Sequence, residues 1–414
     1  MGNFFSCFAG PSPSPAAEPI QDPVPLHISA AEPIVDPDPL DGDTSFLDGN
    51  FSGESWFSMA STNLTTWASQ ANEKISAKLG INARKHKEVL LPIENMRLLD
   101  REITADSNLM VFTLEELKLA TFNFKREKVL GRGGFGNVYK GRIRNKIPCQ
   151  DAKMLAIAVK KLEASSRQGF QQWRTEVNLL GRLSHPNIVK LLGYCQENQS
   201  FLIVYEFMEN GSLNYHLFRK DSKYLLPWET RIKVMIGMAR GLSYLHTIED
   251  PIIYRDFKSS NILLDESYIA KISDFGLAKR RCTPDIVEIE ECVIGTNGYA
   301  APEYIATGKV DIKSDVYGFG VVLIEMLTGL RAIDKRRPAA ERKLLDWIKP
   351  HLSSRRELKD IMDSRLQGKY AFKEASEIAR IALRCVDPYY KRPSMSEVVD
   401  RLEKIGVPYR IDEA

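Results

Sequence analysis

Asp256, Asn261 and Asp274 carry the strongest chemical signal in the sequence. The first two lie in Ile253-Tyr254-Arg255-Asp256-Phe257-Lys258-Ser259-Ser260-Asn261, which fits H-R-D-x-x-x-x-N with Tyr in place of His. In that spacing Asp256 accepts the hydrogen bond of an acceptor hydroxyl, and Asn261 turns back to ligate one Mg²⁺. Lys258 neutralises charge that develops on a transferred phosphoryl group. Lys271-Ile272-Ser273-Asp274-Phe275-Gly276 then puts Asp274 at a strand end to hold a bridging Mg²⁺, and Ala301-Pro302-Glu303 closes the segment that follows. The implied chemistry is phosphoryl transfer from Mg-ATP to a hydroxyl.

Upstream residues supply the nucleotide's other contacts. Leu130-Gly131-Arg132-Gly133-Gly134-Phe135-Gly136-Asn137-Val138 contains G-x-G-x-x-G-x-V, with Gly131, Gly133 and Gly136 letting the backbone approach phosphates. That pattern alone is weak, because a Rossmann turn shares it; a Rossmann turn, however, leads straight into a helix. Here Val138-Tyr139-Lys140 continues as a strand. Ile157-Ala158-Val159-Lys160 is an apolar strand ending in a Lys suited to α- and β-phosphates. Glu176, on a helix whose buried side carries Phe170, Trp173, Val177 and Leu180, is placed to hold Lys160 by an ion pair. Adenine would meet backbone groups near Glu206 and Met208, with Tyr205 closing the back of the pocket and Leu263 its floor. Leu130, Val138 and Ala158 complete the slot.

These side chains need a scaffold of two lobes. Thr113-Leu114-Glu115-Glu116 reads as a capping box with Phe112 as its staple. A β-rich lobe over about 113–208 and a helical lobe over about 209–408 make the class α+β, a bilobal kinase fold, with a largely disordered N-terminal extension. No parallel α/β repeat follows the Gly-rich turn, which excludes a dinucleotide-dependent oxidoreductase.

Composition narrows the setting. Hydrophobic residues make up 43% of the 414 and charged ones 27%, ordinary for a globular chain. A net charge of +3 is too small to imply a nucleic-acid partner. The six Cys show no metal-ligand spacing and read as reduced thiols. No apolar run reaches the roughly 18 residues that span a bilayer. The start, Met1-Gly2-Asn3-Phe4-Phe5-Ser6-Cys7, fits M-G-x-x-x-[ST] for myristoylation of Gly2. One myristoyl chain holds a membrane only weakly, and the first Lys or Arg is Lys74. Palmitoylation of Cys7 is therefore the expected second anchor. Residues 1–10 thus form a lipid-anchor segment, and 11–55 a Pro-rich acidic linker in which Ala-Ala-Glu-Pro-Ile occurs at 16–20 and again at 30–34. In 56–87, Trp56, Ala60, Leu64, Trp67, Ala71, Ile75 and Leu79 fall on one helical stripe ahead of Arg84-Lys85-His86-Lys87. That helix either lies on anionic lipid or packs on the folded domain.

Residues 110–406 resemble the plant receptor-like cytoplasmic kinases of subfamily VII, relatives of the Pelle and interleukin-receptor-associated kinases. The resemblance rests on Ile253–Lys258, Asp274-Phe275-Gly276-Leu277-Ala278-Lys279, Gly298-Tyr299-Ala300-Ala301-Pro302-Glu303-Tyr304 and Trp173-Arg174-Thr175-Glu176-Val177-Asn178. It implies Ser/Thr specificity, Mg-ATP, protein substrates, and work at the cytoplasmic face of the plasma membrane beneath receptor kinases in immune or developmental signalling. It also implies an ion pair between Glu303 and Arg392, and a hold by Asp315 on the catalytic-loop backbone. The departures lie in the activation segment. Where relatives carry a Ser-Thr phosphoacceptor pair, this chain has Glu290-Glu291, which either mimic a phosphate for Arg255 or form a solvated acidic run. Thr283 and Thr296 are possible phosphosites, although Thr296 also fits a contact with Asp256 and Lys258. A membrane-anchored pseudokinase scaffold is the alternative reading, but no catalytic residue is lost.

Overall fold

A computed structural model describes residues 109–133, 136–144, 154–162, 167–197, 199–219, 221, 225–281, 288–289 and 293–406. Gly2, Cys7, the linker, the 56–79 stripe, Thr283, Glu290 and Glu291 lie outside them.

The first lobe is one six-stranded sheet with order β1-β5-β6-β4-β3-β2. Its strands are β1 (Met110–Val111), β2 (Val129–Gly133), β3 (Gly136–Arg144), β4 (Met154–Leu162), β5 (Leu191–Glu197) and β6 (Ser200–Glu206). The sheet therefore takes in two residues ahead of the expected start at 113; so short a strand has no periodicity to reveal it. Helix α1 (Leu114–Ala120) starts at the Thr113–Glu116 capping box. It seals one sheet face through Leu117 and Ala120 over Ile157, Val159 and Val204. Helix α2 (Arg167–Leu180) covers the other face. Its Trp173, 1% exposed, packs on Tyr194 and Phe201 and donates from Nε1 to the Leu202 carbonyl at 3.1 Å.

The second lobe is mainly helical: α3 (Leu213–Phe218), α4 (Trp228–Thr247), α5 (Pro302–Thr307), α6 (Ile312–Thr328), α7 (Leu344–Leu352), α8 (Arg355–Ile361), α9 (Phe372–Cys385) and α10 (Met395–Gly406). Every α6 residue from Asp315 to Thr328 is buried; most are apolar, as in a helix enclosed by a core, and Asp315 and Glu325 are hydrogen-bonded exceptions. Asp311 caps its start in a box with Ser314, and Gly329, at φ 67°, ends it in the left-handed region. Short strands carry the chemistry across the lobe's upper face. β7 (Gly211–Ser212), β9 (Ile262–Leu264) and β10 (Ala270–Ile272) form one sheet. β8 (Ile252–Ile253) pairs with β11 (Lys279–Arg280), and β12 (Glu288–Ile289) with β13 (Lys309–Val310). Among the described residues no helix is long and apolar enough to cross a membrane.

Candidate active site

The antiparallel pairing of β3 with β4 sets Val138 opposite Lys160, and β4 continues two residues past Lys160 instead of ending there. Its Nζ stands 2.7 Å from Glu176 Oε2 on α2 and 2.7 Å from Asp274 Oδ1. Burial alone would pull the ammonium pKa down, but the Asp274 and Glu176 carboxylates hold it above the ordinary lysine value. Burial would conversely raise Asp274, yet Lys160 keeps its carboxyl below the usual range. Glu176 is fully buried, and its Oε1 accepts from the Phe275 N–H at 3.1 Å. One carboxylate thus fixes both Lys160 and the turn after Asp274.

The loop between β8 and β9 holds the second cluster. Lys258 Nζ lies 2.7 Å from Asp256 Oδ2 and 2.9 Å from Thr296 Oγ1, and that hydroxyl donates to Asp256 Oδ1 at 2.6 Å. Asn261 Nδ2 donates to the Asp256 carbonyl and to Oδ2, both at 3.0 Å. Asp274, beyond β10, sits at φ 59°, and within the loop Arg255 is strained at φ 73°, each costing on the order of 1 kcal/mol. Asp315, on α6, offsets this by accepting the N–H of Tyr254 at 2.8 Å and of Arg255 at 2.7 Å. His246 reaches the same carboxylate at 2.9 Å. At the far end of the activation segment Arg392 makes a bidentate pair with Glu303, at 2.6 and 2.7 Å.

Between the lobes lies a cleft, the usual place for a small-molecule site. Leu130, Val138, Ala158, Tyr205, Met208 and Leu263 line it, together with Gly133, Gly136, Glu206, Lys160, Glu176 and Asp274. Gly131 does not; it is paired with Val138 in the sheet. Three lining residues escaped the sequence reading. Phe207 sits between two residues that were singled out, and Ser273 precedes Asp274. Val189 is drawn in by its N–H bond to the Ile272 carbonyl, a long-range contact without local signal. Apolar walls with a cation at one end fit a purine triphosphate. Asn261 Oδ1 and the outer Asp274 oxygen are hard donors, and two protein oxygens plus phosphate and water suit Mg²⁺.

A β-rich lobe over a helical one, with a Lys–Glu pair above and an Asp–Lys–Asn loop below, defines a protein kinase. Residues 124–402 match the family described as protein tyrosine and serine/threonine kinase. The chain is 52% identical over 308 residues to probable serine/threonine-protein kinase PBL10 of Arabidopsis thaliana, covering 73% of this chain and 75% of that one. It is 49% identical over 308 residues to receptor-like cytoplasmic kinase 176 of Oryza sativa subsp. japonica, covering 73% and 78%. With the EPD1-interacting receptor-like cytoplasmic serine/threonine-protein kinase of Nicotiana benthamiana it shares 51% over 301 residues, covering 72% and 65%. The chain belongs to the plant receptor-like cytoplasmic kinases and is a Ser/Thr protein kinase.

Proposed function

We propose that the chain is a catalytically active kinase that moves the γ-phosphate of ATP to Ser or Thr hydroxyls of protein substrates. The observation that carries this reading is the paired geometry of Lys160 with Glu176 and Asp274, and of Lys258 with Asp256 around the Thr296 hydroxyl. Asp256 accepts the acceptor hydroxyl's hydrogen bond and orients its oxygen. Lys258, 2.7 Å away, balances charge as the phosphoryl group moves. Lys160 grips the phosphates, and Asn261 and Asp274 hold the metal. Held by Asn261 and Asp274, Mg²⁺ would supply neutralisation of the phosphates' negative charge. Catalysis by this chain is positioning and electrostatic stabilisation.

The same proposal puts the kinase at the cytoplasmic face of the plasma membrane, myristoylated at Gly2 and palmitoylated at Cys7, beneath membrane receptor kinases in immune or developmental signalling. The M-G-x-x-x-[ST] start supports it, as does a relative whose name marks it as receptor-like. A Gly2→Ala chain recovered from the soluble fraction would agree with lipid anchoring; one still on the membrane would refute it.

Phosphate transfer to a generic protein by phosphatase-treated enzyme, beside Asp256→Asn, tests the activity. Transfer at least 10²-fold above the variant is expected, and would show that activity needs no prior phosphorylation. Transfer no higher than in Asp256→Asn, even from enzyme not treated with phosphatase, would leave a scaffold.

A further inference from the structure

One charged hairpin packs against the end of the activation segment, near Thr296 and Asp256. Residues 331–343 hold Arg331, Lys335, Arg336, Arg337, Arg342 and Lys343 against Asp334 and Glu341. That is four net positive charges, more than the +3 of the whole chain. The segment folds back on itself, with Ile333 bridged to Lys343 and the Asp334 N–H on the Arg342 carbonyl at 3.0 Å. Its base is packed on the activation segment's end. A Cβ on Gly298 would lie 2.7 Å from Ile333 Cγ1 and 3.4 Å from Ala332 Cβ. The Ala332 N–H and the Tyr299 hydroxyl share one acceptor, Glu325 Oε1, at 2.8 and 2.7 Å. Thr296, bonded to Asp256, is two residues from Gly298. The chain between Thr296 and Gly298 therefore spans at most about 7 Å, and it links the hydrogen bond on Asp256 to the contact with the hairpin base.

Among the described residues, Arg337 and Arg342 have no carboxylate within ion-pair distance. Arg336 is matched by Asp334 at 3.0 Å. Arg342 is exposed and donates from Nε to the Arg337 carbonyl at 3.3 Å. Lys343 is 3.8 Å from Asp346, with both side chains at least 70% exposed, a pair worth little in water. Arg337 Nε and Nη1 are buried and meet no acceptor among the described residues.

We propose that this hairpin selects the substrate: it binds an acidic stretch, Asp or Glu a few residues to one side of the acceptor Ser or Thr. The inference rests on the phosphotransferase reading and names its substrate class. Aggregate attraction by two or three exposed cations raises kcat/KM about three- to tenfold and weakens with salt.

The test uses the full chain and Ser peptides in which Asp, Ala or Lys is placed in turn at each of several positions flanking the acceptor. Asp should be favoured three- to tenfold over Ala at adjacent positions on one side. Arg342→Ala/Lys343→Ala should remove that preference while the all-Ala peptide is turned over as before. Arg342→Glu/Lys343→Glu should favour Lys instead. Equal turnover of Asp and Ala peptides by the wild type, or a preference unchanged in both double variants, overturns the proposal. If no peptide is phosphorylated, fluorescence anisotropy of a labelled acidic peptide decides. Tighter binding than to the Ala peptide, lost in Arg342→Glu/Lys343→Glu, supports the hairpin although transfer has failed; equal binding overturns it.

Discussion

Glu325 shows what a single buried group costs and how that cost depends on pH. It is 0% exposed on α6, and its Oε1 is met by a phenol and a peptide N–H. Burial pushes its carboxyl from an ordinary 4.5 up to about 7. The folded chain then keeps a proton that the unfolded chain has already released between those values. Stability from this residue therefore falls as pH rises from about 4.5 to about 7, by roughly 3 kcal/mol in all. Glu325→Gln keeps an acceptor for Tyr299 and Ala332 and removes the charge. Urea unfolding should find it up to about 3 kcal/mol more stable than wild type at pH 8, and close to wild type at pH 5. An equal difference at both pH values would mean that Glu325 ionises as in water. Lys160, by contrast, buries its charge between two carboxylates, so Lys160→Met, which removes that charge, leaves Glu176 and Asp274 uncompensated and is expected to cost stability as well as transfer.

At the scale of elements, the glycine-rich hairpin separates two uses of one residue type. Gly136 has φ 143°, and a Cβ there would lie 2.0 Å from the Lys161 carbonyl oxygen in the adjoining strand. At Gly133 the nearest described neighbour of such a Cβ is the Gly136 carbonyl oxygen, at 3.8 Å. Gly136→Ala must therefore spread β3 from β4 and should lower the melting temperature by several degrees. Gly133→Ala should leave melting unchanged and raise KM for ATP, measured in the same preparations. Equal melting losses in both would refute the distinction. The sequence pattern marked both positions for phosphate approach, because strand register is a long-range property that a local motif does not carry. For the same reason the Lys160–Glu176 pair was legible, since each partner sits in a recognisable element. Val189 was not, since only pairing with Ile272 brings it into the cleft. The helical lobe was legible as a class through the catalytic motifs that require it, not through its individual helices. The basic hairpin at 331–343 was not, because its meaning lies in the contact of Ile333 with Gly298.

For the molecule as a whole, function requires that two lobes with separate covering helices present one cleft. Glu176 joins α2 of the upper lobe to the Phe275 N–H, and Lys160 joins β4 to Asp274. A third link lies at the connection between lobes. Lys271, on β10, places Nζ 2.8 Å from both oxygens of Glu206, and Oε1 of Glu206 also accepts the Lys190 N–H at 2.7 Å. Those side chains are only 16% and 25% exposed, so the pair is screened less than a surface one. Glu206 lines the cleft at the end proposed for adenine, and Lys271 stands three residues before Asp274, at the end proposed for the metal. The ion pair thus fixes the spacing between the two ends of a bound nucleotide, a binding effect shared by ground and transition states. Lys271→Met should raise KM for ATP several-fold with kcat little changed. Lys271→Glu combined with Glu206→Lys should recover part of the loss through the reversed pair. A fall in kcat at unchanged KM would assign Lys271 instead to the setting of Asp274, which acts in the transfer step itself.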